Sequence, residues 1–208
     1  MMNTEKLLQT FKRDVANHTM RIHKDDGLYR HIEFSQNGDF DCRFFLVTWP
    51  GYLSIVGDCG DFTFKRTHDM FGFFRREELT INPSYWQEKL CAGASFAGGT
   101  AISEEFSFDK YKARVGEWFN DRFPKGKSDR AARKEAREEV KEQLLEIDED
   151  EWSAVVATRE FDSEHIDFYD FWESGCSEWR YHYLWCLYAI VWGIQEYDRI
   201  TSQEVKAA

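Results

Sequence analysis

Cys59 lies in the run Gly57-Asp58-Cys59-Gly60-Asp61, and His68 follows nine residues later. These are the residue types of a thiol nucleophile and its base. A catalytic thiol needs a lowered pKa, whereas two adjacent aspartates raise it. The glycines supply positive φ and the aspartates local hydrogen bonds, so the run reads as a hairpin turn. The six histidines, His18, His23, His31, His68, His165 and His182, show no recurrent ligand spacing. Glu164, His165 and Asp167 are the nearest approach to a carboxylate-rich metal set, and the reading preferred for them is surface or hydrogen-bonded residues. Gly93-Ala94-Ser95-Phe96-Ala97-Gly98-Gly99-Thr100 is glycine-rich but lacks the lysine of a phosphate-binding loop. No nucleophile elbow, metalloprotease or dinucleotide fingerprint occurs. The expectation is a protein with no catalytic residue, no cofactor and no metal. Five cysteines without CxxC spacing read as reduced thiols.

Basic and aromatic residues alternate at Arg43-Phe44-Phe45, Phe62 to Arg66 and Phe71 to Arg76. On strands such groups could stack nucleic-acid bases, with Arg43, Lys65, Arg66, Arg75 and Arg76 holding phosphates. Neighbouring strand residues point to opposite faces, however, so half of each group would be buried. Together with a net charge of −11 this makes direct nucleic-acid binding the weaker reading.

The charge itself is localised. Between Glu146 and Glu178 twelve acids face one base, Arg159, and the remaining 26 acids and 26 bases cancel. A concentrated negative field repels nucleic acid and attracts the basic surfaces that normally hold it. Phe161, Phe168, Tyr169, Phe171, Trp172 and Trp179 lie among these acids, whereas disordered acidic tails lack such residues. The segment is therefore expected to be folded, with Glu149, Asp150, Glu151, Asp162, Glu164, Asp167, Asp170 and Glu173 as partner-binding residues.

The elements that must position these residues follow from periodicity. Leu7, Leu8, Phe11 and Val15 predict a short amphipathic helix from Thr4 to Ala16. From Tyr29 to Arg66 the period is two, broken at Asn37-Gly38-Asp39, Pro50-Gly51 and Gly57 to Asp61, which predicts an antiparallel meander of about four strands. Short helices are expected at His68 to Arg76 and from Pro83, with Asn82 as N-cap. Cys91 to Ser103 reads as a loop, Phe108 to Phe123 as a helix, and Lys125 to Ile147 as a charged helix with a narrow apolar stripe. The helix from Glu178 to about Ile200 is apolar nearly all round from Tyr183 to Ile194, so it should be the central core element, with Gly193 allowing a close crossing. With 42 % hydrophobic and 17 % aromatic residues and only three prolines, the chain is expected to form a single α+β domain over residues 1–208. Its parts are an N-terminal helix and loop (1–27), an antiparallel sheet (28–66), and a helical part (67–208) carrying the acidic segment 146–178. The amino terminus has no apolar signal region and no apolar run reaches ~20 residues, so the expected location is the cytosol.

The run Tyr183 to Asp198, and Gly57 to Arg66 followed by Asp69-Met70-Phe71, resemble a family of uncharacterised proteins carried by bacteriophages and prophages, with a likeness running from the first helix to Tyr197. The resemblance implies a host bacterial cytosol and supplies no functional residue. Small acidic phage proteins without catalytic motifs include anti-CRISPR and anti-restriction inhibitors, some of which imitate the charge of DNA. The expected function is inhibition of a host protein or ribonucleoprotein complex with a basic nucleic-acid groove. The alternatives are a phage replication or recombination accessory binding single strands, and an enzyme with a cryptic acid or thiol site.

Overall fold

The computed structural model describes residues 4–94, 102–124, 126 and 129–207, with the side chains of 4, 94, 173, 174 and 204–207 outside the description. In chain order the elements are α1 (Thr4–Asp14), β1 (Thr19–Asp26), β2 (Tyr29–Ser35), β3 (Phe44–Trp49), β4 (Tyr52–Gly57), β5 (Asp61–Lys65), α2 (Met70–Phe74), α3 (Pro83–Gln87), β6 (Leu90–Ala94), β7 (Glu104–Phe106), α4 (Phe108–Arg122), α5 (Arg130–Val140), α6 (Glu151–Glu160), β8 (Ser177–Trp179) and α7 (Tyr181–Ala207). A π-helical turn, Lys141–Leu145, follows α5, and a 3₁₀ turn, Phe171–Ser174, precedes β8. The architecture is α+β, an N-terminal antiparallel sheet followed by a mainly helical remainder. Among the described residues no helix is long and apolar enough to cross a membrane.

Where the sequence suggests one domain, the chain divides into two compact units. Residues 2–103 and 179–208 form one, here the sheet unit, and residues 104–178 are inserted between its two pieces. Each has a hydrophobic core of its own. Periodicity reports whether a segment is apolar on one face but not which core that face joins, and the glycine-rich run Gly93 to Thr100, just before the first crossing point, reads equally as a loop within one domain.

The sheet runs β1-β2-β3-β4-β5-β6 with every neighbour antiparallel. It has two more strands than the alternating pattern predicts. β1 falls in the stretch read as helix and loop, because it is a polar edge strand whose residues are mostly exposed. It is held by pairing to β2 across a turn at Gly27, where φ is 61°. β6, the opposite edge, falls in the stretch read as a small-residue loop; 95–101 lie outside the described residues. The strand expected from Phe40 begins only at Phe44, since Asn37, Gly38 and Cys42 all take positive φ.

One face of the sheet supplies Ile32, Phe34, Phe44, Leu46, Leu53, Ile55, Phe62 and Phe64, all buried. Against the same core lie α1, through Leu7, Phe11 and Val15, and α7, whose residues from Tyr183 to Val191 are buried without a gap. This is the central helix the apolar run predicts, shifted to start at Tyr181. Trp185 ties the layers together, its ring 5.2 Å from Phe11 and 5.8 Å from Phe44 and its Nε1 donating to Asp14 Oδ2. A Cβ on Gly193 would stand 2.9 Å from Leu46 Cδ1 and 3.1 Å from the Phe34 ring, so any larger residue would have to push these buried side chains aside. The short helices begin as their caps dictate: Asp69 accepts from Phe71 N–H and Asn82 from Tyr85 N–H.

In the inserted unit, α4 buries Tyr111, Val115 and Phe119, four residues apart on one face, and Ser107 caps it. α5 and its π-helical continuation bury Ala136, Val140 and Leu144. The helix expected from Lys125 starts at Arg130 with Asp129 as N-cap, and positions 125, 127 and 128 lie outside the described residues. The core is completed by Ala154 from α6 and by Ile166, Phe168, Phe171 and Cys176 from the irregular segment beyond it.

Candidate functional site

The acidic stretch belongs to the inserted unit, and the division of the chain sharpens the charge contrast. Residues 104–178 carry 22 acids against 12 bases, whereas the rest carries 16 against 15, so −10 of the total −11 lies in one compact body.

Glu149, Asp150 and Glu151 gather at the start of α6. Asp150 is its N-cap: Oδ1 accepts from the Ser153 N–H at 3.0 Å and Oδ2 from the Ser153 hydroxyl at 2.6 Å. Ser153, through its hydroxyl and then its backbone N–H, holds the Asp150 carboxyl below the usual range. Glu151 lies in the first turn, where negative charge meets the positive end of the helix dipole, and Arg159 lies in the last. Asp150 is thus already engaged by its own helix, a local role that the acid count alone does not separate from partner binding.

Asp162, Glu164, Asp167 and Asp170 follow the other end of α6, which at ten residues is about 15 Å long. They do not lie on a helix. Phe161 to Asp170 is irregular, pinned inward by Ile166 and Phe168 while these four acids face solvent. The segment is braced at two points. Gln143 exchanges hydrogen bonds with the Asp162 backbone at 3.0 and 3.2 Å, and Trp118 Nε1 donates to the Asp167 carbonyl at 2.8 Å. Asp162 and Asp167 line a cleft of about 500 Å³ with Val155, Arg159, Phe161 and Tyr169. The backbone of Glu173 is in the 3₁₀ turn, but its side chain lies outside the described residues. The seven acids whose side chains are described therefore fall in two stretches, one opening α6 and one in the irregular segment that follows it, and not in one row.

Aromatic exposure was the signal the acid count missed. Trp152, one residue into α6, is 76 % exposed and Tyr169, at the cleft, is 91 % exposed, although such side chains ordinarily supply a core.

The basic groups of the sheet unit are placed differently. Phe44, Phe62 and Phe64 are buried, as alternation requires, and Phe45 and Trp49 take the other face. Arg43 lies over Phe40 at 4.0 Å and Phe45 at 5.4 Å, and Lys65 over Tyr52 at 5.3 Å. Arg66 is exposed. Arg75 forms a two-pronged pair with Asp198 at 2.7 and 2.9 Å, and Arg76 covers Trp86 while donating to backbone carbonyls. Two of the five cations are thus engaged in holding their own unit together.

Cys59 faces Cys42, and burial followed by the adjacent thiol pushes its pKa up. Cys42 is pushed to about 11, again chiefly by burial and then by Asp14. His165 is paired not with its sequence neighbours but with Glu135 of α5, 3.4 Å away, and Ser163 donates to the neighbouring Glu139 at 2.5 Å. Compared with protein-family models, curated proteins and solved structures, the chain has no match.

Proposed function

We propose that the inserted unit is a protein-docking module of a phage-encoded inhibitor. In this reading its acids occupy a lysine- and arginine-lined groove of a host nucleic-acid-handling complex. What supports this is the segregation of charge: nearly all of the excess lies in one folded body, whose surface also leaves Trp152 and Tyr169 in solvent. Carboxylates meet the cations, and the two rings supply contact area at low entropic cost beside them, the pairing of charge and aromatic anchors that interfaces favour. No bond in the partner needs to be broken.

The test uses the full chain as bait in lysate of the bacterial host. A captured protein should be released by salt and displaced by an oligonucleotide that the captured complex itself binds. A variant neutralised at Glu149, Asp150, Glu151, Asp162, Glu164, Asp167, Asp170 and Glu173 should capture it poorly while remaining folded by circular dichroism. Unchanged capture and salt response in that variant would leave the charge as a solubilising feature and end the proposal.

One observation favours a second reading, in which the sheet unit binds single strands. Trp49 and Tyr52 stack at 5.1 Å and 14°, with Lys65 above Tyr52. The engagement of Arg75 and Arg76 weakens it. Direct, salt-sensitive binding of an oligonucleotide by the purified protein, lost on Lys65→Ala, would favour this reading over docking.

A further inference from the structure

The Gly57 to Asp61 turn has a second cysteine directly across from it. In the β3–β4 ladder Phe44 pairs with Gly57 and Phe45 with Val56. Regular pairing ends at Phe44 and Gly57, but the chains stay in contact one residue further, where Asp58 N–H donates to the Arg43 carbonyl at 2.9 Å, and this brings Cys42 and Cys59 to the same end of the pair. Close approach here requires Gly57, since a Cβ would fall 2.2 Å from that carbonyl oxygen. The two thiol sulfurs lie within 4.8 Å of each other.

Cys42 holds φ at 52°, a conformation that side chains other than Asn, Asp and His rarely take. Two contacts keep it there. Its N–H donates to Asp58 Oδ2 at 3.0 Å, and its carbonyl lies 3.0 Å from His18 Nε2, which must therefore carry the ring proton. Both thiol sulfurs and an Asp58 carboxylate oxygen lie within 4.8 Å of one another. Tetrahedral zinc with Zn–S near 2.3 Å and Zn–O near 2.0–2.2 Å needs ligand separations of about 3.5–3.8 Å. The remaining gap, at most about 1.3 Å, is within reach of side-chain rotation.

The surroundings suit a cation. Asp14, Asp41 and Asp58 all disfavour a bare thiolate at Cys42, and a bound cation reverses that repulsion. The nearby Arg43 guanidinium lies over Phe40, and Arg13 is paired with Asp14 at 3.2 Å. Two sulfurs and one carboxylate select a borderline-soft metal over magnesium or calcium. We infer that Cys42, Cys59 and Asp58 form a binding site for a thiophilic divalent cation of the zinc class. Water takes the fourth position from the solvent that Asp58 faces. On binding, each thiol gives its proton to solvent, and the cation receives two thiolates and one carboxylate.

Cysteine spacing hides this site, because its ligands are seventeen residues apart and meet only through strand register. It lies in the sheet unit and does not depend on the docking function proposed for the other. The test takes the full chain, kept reduced and stripped with chelator, and titrates it with Co²⁺ alone and then Zn²⁺. About one equivalent of Co²⁺ should bind with a near-ultraviolet sulfur-to-cobalt charge-transfer band, which Zn²⁺ should abolish. Cys42→Ser and Cys59→Ser should each lose the band with an unchanged circular dichroism spectrum. Asp58→Asn keeps an acceptor for Cys42 N–H, so it should fold and retain the band while weakening affinity by about tenfold or more. Absence of the band, its persistence in either cysteine variant, unchanged affinity in Asp58→Asn, or a Cys42–Cys59 disulfide in protein made in a reducing cytosol would each overturn the assignment.

Discussion

The two units differ in charge far more than in aromatic exposure, for Phe40 and Tyr29 of the sheet unit are exposed as well. The sheet unit is nearly neutral and buries Trp86, Trp185, Tyr183 and a row of phenylalanines around α7. The inserted unit also has a real core, around Tyr111 and Phe171, yet it carries almost the whole net charge and leaves Trp152 and Tyr169 in water. Mutual repulsion among its acids opposes compaction, and exposed rings forgo the gain from burial. The contrast teaches that charge is segregated by unit while each keeps a core of its own: the sheet unit is close to neutral and the inserted unit carries the excess.

The comparison can be broken most directly at α7. Trp185→Ala removes the ring that joins α1, the sheet and α7, and should destabilise the sheet unit by about 3–5 kcal/mol, read by denaturant titration. A loss below about 1 kcal/mol would mean that the sheet unit is not organised around this helix. Next come the exposed rings. Tyr169→Ala and Trp152→Ala should change folding stability by no more than about 0.5 kcal/mol yet weaken partner capture by about 2 kcal/mol if they act as anchors. The reverse pattern, lost stability with intact capture, would make them structural and erase the contrast.

Smaller effects sharpen it. Asp167→Asn with Asp170→Asn should weaken binding by about 0.2–1 kcal/mol for each rim contact, falling with salt, and should leave the fold intact. Smallest is the α6 cap. Because Ser153 holds the Asp150 carboxyl below its ordinary value, the ionised form stabilises the folded state above the unfolded pKa, and this contribution is lost as pH falls through the lower folded value. Asp150→Ala should therefore lower the melting midpoint at neutral pH, with the difference from the native protein closing in acid below about pH 4. A pH-independent difference would assign the cap's effect to shape instead of charge.

What was legible in the chain was whatever one segment could express alone. The unbroken apolar run at Tyr183 to Ile194 announces a surrounded helix, Asn82-Pro83 announces a helix start, and the alternation from Tyr29 to Arg66 announces about four strands. β1 and β6 were illegible because edge strands are chosen by their neighbours: Thr19–Asp26 has little apolar periodicity and is a strand because β2 offers it hydrogen-bonding groups. The acidic residues were legible as a charge but not as two groups, since that depends on where α6 begins and ends. The Cys42–Cys59 pair was hidden for the same reason as the insertion: both are set by register and packing between distant segments.

The sheet unit's discontinuity also bears on how the chain is made. Its six strands emerge from the ribosome before the helix that covers them, and all of residues 104–178 must be synthesised in between. At ~5–20 residues per second that delay is roughly 4–15 s, during which Phe34, Phe44, Leu46 and Ile55 have no α7 to pack against. The inserted unit, contiguous in the chain, can complete its core first. Its acids then accompany a nascent sheet with an uncovered apolar face, and like-charge repulsion between neighbouring chains opposes association of such intermediates.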